Sequence, residues 1–178
     1  MTRPTIPPDD ASVSHEQIAK LLSELHNIDS RVAKKALKTL SALDRQRTMN
    51  ILVEFLPDKT DSSLRCDSAE AILLLDPNAV ELVTPLLTDP LPSVRWKICG
   101  LMHDLGDHRA TDGLVRVLTE DESGDNRYIA AWALGAVGAP SALPALQHAA
   151  ASDDGTDREG RPVRDAALEA IDLILSRK

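Results

Sequence analysis

The amino-acid sequence predicts an all-α fold, an α-solenoid of about five helical hairpins. Two observations predict it. Aromatic residues make up only 2% of the chain, so Leu, Ala, Val and Ile must build the core, and Ala and Leu have the highest helix propensities. An apolar pattern also recurs along the chain at intervals of 30 to 37 residues, which is typical of stacked helical repeats.

The first helix of each repeat begins near an Arg that is followed by apolar residues three, four, seven and ten positions later. This spacing places the apolar residues on one face of an α-helix, which a neighbouring element must cover. The equivalent positions are 33, 65, 95, 127 and 164, and Ala33 departs from the pattern because it replaces the Arg. In the third repeat, Arg95 is followed by Ile98, Cys99, Met102 and Leu105.

A second apolar stretch follows each first helix after a short break. Gly106 and Gly138 provide the residue that commonly follows a helix C-terminus, and Pro140 is tolerated in a first turn. One hairpin of about 30 residues cannot bury its apolar face alone, so the hairpins are expected to stack. The second helices are predicted near Arg45–Leu56, Pro77–Leu87, His108–Thr119 and Pro140–Ala151.

This register predicts a single repeat domain over residues 14–178, preceded by a disordered, proline-rich tail at 1–13. Ser14 and Gln17 form a capping-box pattern that opens a leading helix over residues 14–26, which would cover the first hairpin. The Gly- and Asp-rich run before the last helix predicts a loop. The repeats are predicted at about 28–57, 58–88, 89–120, 121–151 and 152–178.

Several short motifs carry a family resemblance. They are VR at 94–95 and 163–164, AAWALGAVG at 130–138, ALPAL at 142–146, and an Asp six residues before Arg95 and Arg127. With these motifs the sequence resembles the HEAT repeat family, in particular the HEAT-like repeats of phycobilin lyase subunits. The resemblance covers about residues 28–178 and implies a right-handed superhelix. HEAT repeats occur in scaffolds, adaptors, chaperone-like factors and a few enzymes, so the resemblance implies a fold and not one function.

The resemblance also implies a role for the recurring Arg and Asp residues, which in such solenoids form a ladder between neighbouring repeats. The alternative is an exposed row of Arg that binds phosphate or an acidic peptide. The accompanying Asp favours the ladder. Its predicted members are Arg65, Asp89, Arg95, Asp121, Arg127 and Arg164.

Charge and composition restrict the class of protein. A net charge of −8 and a pI near 5.1 argue against nucleic-acid binding, including a HEAT-like DNA glycosylase, and suit a monomer that avoids self-association. The uncharged run from Tyr128 to Ser152 divides between two predicted helices, so we expect no membrane span. Two cysteines are too few for a disulfide framework, and no signal-peptide pattern is present, so we expect a cytoplasmic protein.

Candidates for catalysis are weak. His103 and His108 lie across a helix end without further ligands, so we predict no metal site and no cofactor. The HEAT-fold enzyme deoxyhypusine hydroxylase uses His-Glu pairs within its repeats, whereas the only such pair here is His15-Glu16, in the leading helix. Cys99 falls on the buried face, and no base can be placed beside Cys66. We therefore predict no catalytic residue and no enzymatic activity.

Two sets of residues are candidates for contact with a partner protein. Trp96 and Tyr128 share the position after the Arg, and Trp132 lies one turn further; packing between repeats is the favoured interpretation, with binding anchors as the alternative. The second set, called the polar stripe, lies on the expected concave face and is either a partner site or an ordinary solvated surface. It contains Asn50, Glu54, Glu81, Asp112, Arg116 and His148.

These observations predict a non-enzymatic scaffold or adaptor that binds another protein. The alternative, implied by the phycobilin lyase resemblance, is a lyase-like or chaperone-like factor that acts on a tetrapyrrole-bearing protein.

Overall fold

A computed structural model describes residues 13–177, and this part of the chain contains ten α-helices and no β-strand. Short 3₁₀ segments lie at Thr84–Thr88, His108–Ala110 and Pro140–Ala142. The predicted all-α solenoid is confirmed. The helices are α1 His15–Leu25, α2 Ser30–Ala42, α3 Arg45–Phe55, α4 Ser62–Leu75, α5 Val80–Val83, α6 Pro92–Leu105, α7 Thr111–Glu120, α8 Gly124–Val137, α9 Leu143–Ser152 and α10 Val163–Ser176.

The helices form two stacked layers. The first helices α4, α6, α8 and α10 pack side by side, and the second helices α5, α7 and α9, with the 3₁₀ segment after α5, form the other layer. Each second helix also packs against the first helix of the following repeat, as α7 does against α8. The apolar stripe of α6 is buried at Ile98, Cys99 and Met102, as its spacing predicts.

The helix ends follow local sequence signals. Gly106 and Gly138 have φ angles of 67° and 74°, a left-handed conformation that favours glycine, and they end α6 and α8. Asp29, Asp44 and Asp61 cap α2, α3 and α4 through side-chain oxygens that accept backbone amides. No helix within residues 13–177 has the length and apolar character that a membrane span requires.

The N-terminal part of the array differs from the predicted register. α1 packs against both α2 and α4, whereas α2 packs mainly against α1. His26, at the end of α1, has its Nε2 atom 3.0 Å from Asp67 Oδ1 on α4. α1 therefore occupies the place beside α4 that the sequence assigned to α2, and in this position its apolar face is the more deeply buried of the two. Its buried residues are Ile18, Leu21 and Leu22, compared with Ala36 and Leu40 in α2.

The structure differs from the sequence-based prediction at three further places. The second helix near Pro77–Leu87 is interrupted, because Pro85 has no amide hydrogen to continue the α-helical ladder and a 3₁₀ segment follows α5. In the region 152–178 the structure contains one helix, α10, so that unit is not a complete hairpin within the described chain. The predicted tail lies outside the described residues except for Val13, which is buried in the core.

Candidate functional site

An Arg–Asp ladder connects successive repeats on the turns that precede the first helices. Its guanidinium groups are buried or half-buried, so they do not form an exposed Arg row. Each Arg pairs with the Asp that opens the next repeat. The three rungs are Arg65–Asp89, Arg95–Asp121 and Arg127–Asp153.

The middle rung shows how one guanidinium joins two repeats. Arg95 Nε donates to Asp121 Oδ2 at 2.6 Å, and Nη2 donates to Oδ1 at 2.9 Å. Nη1 donates to the carbonyl oxygen of Asp89, in the same repeat as Arg95, at 2.7 Å. The Arg127 rung repeats these contacts, with Nε donating to Asp153 Oδ2 at 2.7 Å. Such bidentate Arg–carboxylate contacts fix geometry as well as charge. In the Arg65 rung, Nη2 donates to Asp89 Oδ1 at 3.3 Å, whereas Nε lies 3.1 Å from Oδ2 without hydrogen-bond geometry.

The carboxylates of the ladder are also held by backbone amides. Asp121 Oδ1 accepts the Ser123 amide at 2.9 Å, and Asp153 Oδ1 accepts the Gly155 amide at 2.8 Å. Burial alone would raise the pKa of Asp121, but hydrogen bonds from Arg95 and the Ser123 amide hold that pKa below its ordinary value. The pKa of Asp153 is lowered mainly by the hydrogen bonds from Arg127.

The observed ladder differs from the predicted one at two residues: Arg164 does not belong to it, and Asp153 does. Arg164, predicted as a rung, pairs instead with Asp154 at the surface, because α10 is followed by no further repeat within residues 13–177 to supply a carboxylate. Asp153 was missed because the ten-residue loop before α10 separates it from Arg164. The sequence nevertheless contains a pattern that identifies Asp153, because Asp89, Asp121 and Asp153 follow one another at intervals of 32 residues.

The residues of the polar stripe are all exposed on the second helices, and they line separate depressions. Asn50 and Glu54 line a depression of about 690 Å³ beside Leu82. Arg116 lines another of about 370 Å³, and His148 a third of about 450 Å³. Glu81 and Asp112 line none of these three. The stripe is therefore a series of exposed polar positions and not one continuous pocket.

The three aromatic residues predicted on the first helices meet at a single cleft of about 620 Å³, called here the aromatic cleft. Trp96 and Trp132 are 37% and 41% exposed, so packing between repeats does not cover them. The cleft lies on the first-helix layer, between α6, α8, α10 and the loop at 153–162. Its other walls include Gly100, Asp104, Asp125, Arg158, Arg161 and Glu169.

The loop at 153–162 brings two cations onto the aromatic rings. Arg158 Cζ lies 4.9 Å from the Trp96 ring centroid, and Arg161 Cζ lies 4.6 Å from the Tyr128 ring centroid. Both are cation–π distances. On the third aromatic residue, the His103 ring stacks against Trp132 with a centroid separation of 3.4 Å.

The loop is held in place by a buried carboxylate and a close backbone approach. Asp157 accepts the Glu159 and Arg161 amides at 2.9 and 2.8 Å, and Arg161 Nε at 2.7 Å. Although burial opposes ionisation, these hydrogen bonds keep the pKa of Asp157 below its ordinary value. A Cβ atom at Gly124 would lie 2.2 Å from the Thr156 carbonyl oxygen, so only glycine allows the loop to lie against α8.

The predicted chemical candidates do not assemble into a reactive site. Cys99 is fully buried and Cys66 is half-buried, and burial is the main cause of the raised pKa of both thiols. Such thiols are poor nucleophiles at neutral pH. Within residues 13–177 no group of three or more His, Cys, Asp or Glu side chains is arranged to hold a metal ion.

Two stacked layers of helices with an Arg–Asp ladder between successive repeats define a helical-repeat solenoid. A family model of HEAT repeats matches residues 79–172, which is more than half of the chain. The chain belongs to the HEAT repeat family.

The fold is similar to solved structures. A chain in the complex of CpcE and CpcF of phycocyanin lyase from Nostoc sp. PCC7120 aligns with a TM-score of 0.59 and 20% identity, covering 99% of this chain and 71% of that chain. Human deoxyhypusine hydroxylase aligns over 92% of this chain and 97% of its own with 16% identity, and its TM-score of 0.33 is too low to indicate a shared fold. No curated protein matches the chain.

Proposed function

We propose that this protein is a non-enzymatic scaffold or adaptor that binds a partner protein through the polar stripe on its second helices. The observation that carries the proposal is that the six stripe residues, which come from four helices, are all exposed. Solenoids commonly bind partners on an extended surface of this kind. The complex of CpcE and CpcF, which includes a chain of similar fold, also supports a protein partner.

The stripe can exchange its present contacts for contacts with a partner. Arg116 pairs with Glu120 at 2.9 Å, and both side chains are more than 60% exposed. His15 Nε2 lies 2.6 Å from Glu54 Oε2, again between exposed groups. Exposed pairs contribute about 0 to 1 kcal/mol, so a partner can replace them at little cost.

The proposal includes a cytoplasmic location, a monomeric state and no nucleic-acid partner. The free thiols of Cys66 and Cys99 are typical of a reducing compartment, which supports the location. The net charge of −8 supports a monomer, because like-charged molecules repel each other, and it disfavours a nucleic-acid partner.

An affinity pull-down from native extract tests the role of the stripe. We expect the double variant Glu54→Lys with Arg116→Glu to lose partners that the wild type recovers, because it reverses two charges of the stripe. The matched control is Lys35→Glu with Asp172→Lys, which makes the same charge changes at exposed positions on α2 and α10, outside the stripe, and should recover the wild-type set. Identical recovery by all three proteins would contradict the proposed binding face.

A second candidate function is that of a lyase-like or chaperone-like factor for a tetrapyrrole-bearing protein. Structural similarity to a chain of the phycocyanin lyase complex favours it. Titration with a bilin or with haem, followed by absorbance, separates the two candidates. A saturable spectral change would favour the second function, and an unchanged spectrum would remove it.

A further inference from the structure

The aromatic cleft already holds cations that belong to the chain itself. The guanidinium groups of Arg158 and Arg161 lie over Trp96 and Tyr128, respectively. Each of these cations is also paired with a carboxylate, Arg158 with Asp125 and Arg161 with Asp157. The two positions show the chemistry that the cleft accepts: a cation on an aromatic ring with an acidic neighbour.

The third aromatic residue differs from the other two, because an imidazole and not a guanidinium covers one face of its ring: His103 stacks on Trp132 with the centroids 3.4 Å apart. Trp132 lines the cleft and is 41% exposed, and no Arg or Lys of the described chain lies over its ring. Asp104 on α6 and Glu169 on α10 come from the two helices that flank α8, and both line the cleft. Glu169 forms no ion pair within residues 13–177, and Asp104 contacts only His103, at 3.1 Å.

The cleft has room for an additional side chain at its α6 wall. Gly100 forms part of its wall on α6, and a Cβ atom added there would meet no heavy atom within 4 Å. Of the charged residues that line the cleft, five are acidic and two are basic. The two Arg side chains are already paired with Asp125 and Asp157, so the net negative charge of the other carboxylates favours binding of a cation.

We propose that the aromatic cleft binds an Arg or Lys side chain from a basic segment of a partner protein, with the cation on the face of Trp132 that His103 does not cover and its charge balanced by Asp104 and Glu169. This position would complete a row of three cation–π contacts on Trp96, Tyr128 and Trp132. The site lies on the first-helix layer, so it is distinct from the polar stripe and does not depend on the function proposed for the stripe.

The indole N–H signals in ¹H–¹⁵N NMR spectra provide a direct test, because Trp96 and Trp132 are the only tryptophans of the chain. The probe is a peptide of four arginines alternating with glycines, at low ionic strength, and a Trp96→Phe variant assigns the two signals. We expect the Trp132 signal to shift saturably. The same peptide with citrulline in place of arginine keeps the shape without the charge and should cause no such shift.

Variants then locate the site. Asp104→Asn with Glu169→Gln should weaken peptide binding about tenfold, as expected for the loss of two carboxylate contacts at a partly exposed site. The matched control, Asp112→Asn with Glu120→Gln, removes the same charge from the second helices and should change the affinity by less than about twofold. Gly100→Leu should block the cleft, whereas Gly100→Ala should bind as the wild type does.

Several results would overturn the proposal. Equal binding of the citrulline peptide would show that charge is not recognised. Equal weakening in the two double variants would show only non-specific attraction to an acidic protein. A shift with choline but not with the peptide would assign the cleft to a small quaternary ammonium ligand, and an unmoved Trp132 signal would exclude a site there.

Discussion

At the scale of single residues, the ladder depends on the shape of the Arg side chain. Arg95 uses Nε and Nη2 toward Asp121 and Nη1 toward the Asp89 carbonyl oxygen, so one planar group reaches two repeats. A Lys ammonium is a point charge and cannot make both contacts with this geometry. The Asp121 carboxylate, whose side chain is 2% exposed, would then lose hydrogen bonds while remaining buried.

We therefore predict that Arg95→Lys lowers the free energy of unfolding by about 2 kcal/mol, the size expected for lost hydrogen bonds to a buried charge. Urea unfolding followed by circular dichroism at 222 nm measures it. The matched control is Arg116→Lys, whose partner Glu120 is exposed, and it should cost less than about 0.5 kcal/mol. Equal effects of the two substitutions would show that the buried Arg95–Asp121 contacts add no more stability than an exposed ion pair.

At the scale of helices, α8 is the most enclosed element and α2 one of the least. Eight residues of α8 are buried, whereas α2 buries two over nearly the same length. Gly135 lets α8 approach α10 closely, since a Cβ atom there would lie 3.0 Å from Ala170 Cα. The uncharged stretch from Tyr128 to Val137 thus reflects close packing on several sides of α8.

This difference predicts unequal hydrogen exchange. Backbone amides of α8 should exchange about 100-fold more slowly than those of α2, equivalent to about 3 kcal/mol in opening free energy, because local opening of α2 exposes little apolar surface. Hydrogen–deuterium exchange with mass spectrometry of peptides from the two helices measures it, and α6 is a suitable internal reference. Equal protection of α2 and α8 would contradict the peripheral position of α2.

At the scale of the whole molecule, the ladder rungs and the turn at Asp107 couple stability to pH. The hydrogen bonds from Arg109 lower the pKa of Asp107 to about 2, and the pKa values of Asp121 and Asp153 are also lowered. In the unfolded chain an Asp has a pKa of about 3.9. Because the folded pKa values are lower, the stabilisation is fully present above the unfolded value and is lost as the pH falls through the folded values.

We predict that the thermal unfolding midpoint stays nearly constant from pH 7 to pH 5 and falls steeply below about pH 4. Circular dichroism melting curves across this range measure it. The double variant Asp121→Asn with Asp153→Asn should be less stable at pH 7 but should lose less stability on acidification, since two of the titrating groups are gone. Parallel profiles for variant and wild type would assign the acid sensitivity to other groups.

Much of this architecture could be predicted from local sequence. The spacing of Ile98, Cys99 and Met102 after Arg95 is a property of one helix and is enough to identify its buried face. The glycines that end α6 and α8 are likewise local signals. The prediction failed where neighbours decide the outcome: α1 and α2 both have an apolar face, and only their packing shows which one lies against α4.

The sequence by itself determined the class of fold, the period of the repeats and the buried face of most helices, because helix propensity and apolar spacing act over one or two turns. The tertiary structure decided the position of α1, the rung at Asp153 and the assembly of the aromatic cleft. The cleft depends on contacts between distant residues, such as the Arg158 amide with Asp125 at 2.6 Å and the close approach of Gly124 to Thr156. Contacts of that kind arise only when a loop packs on a folded helix layer, so residue spacing alone does not encode them.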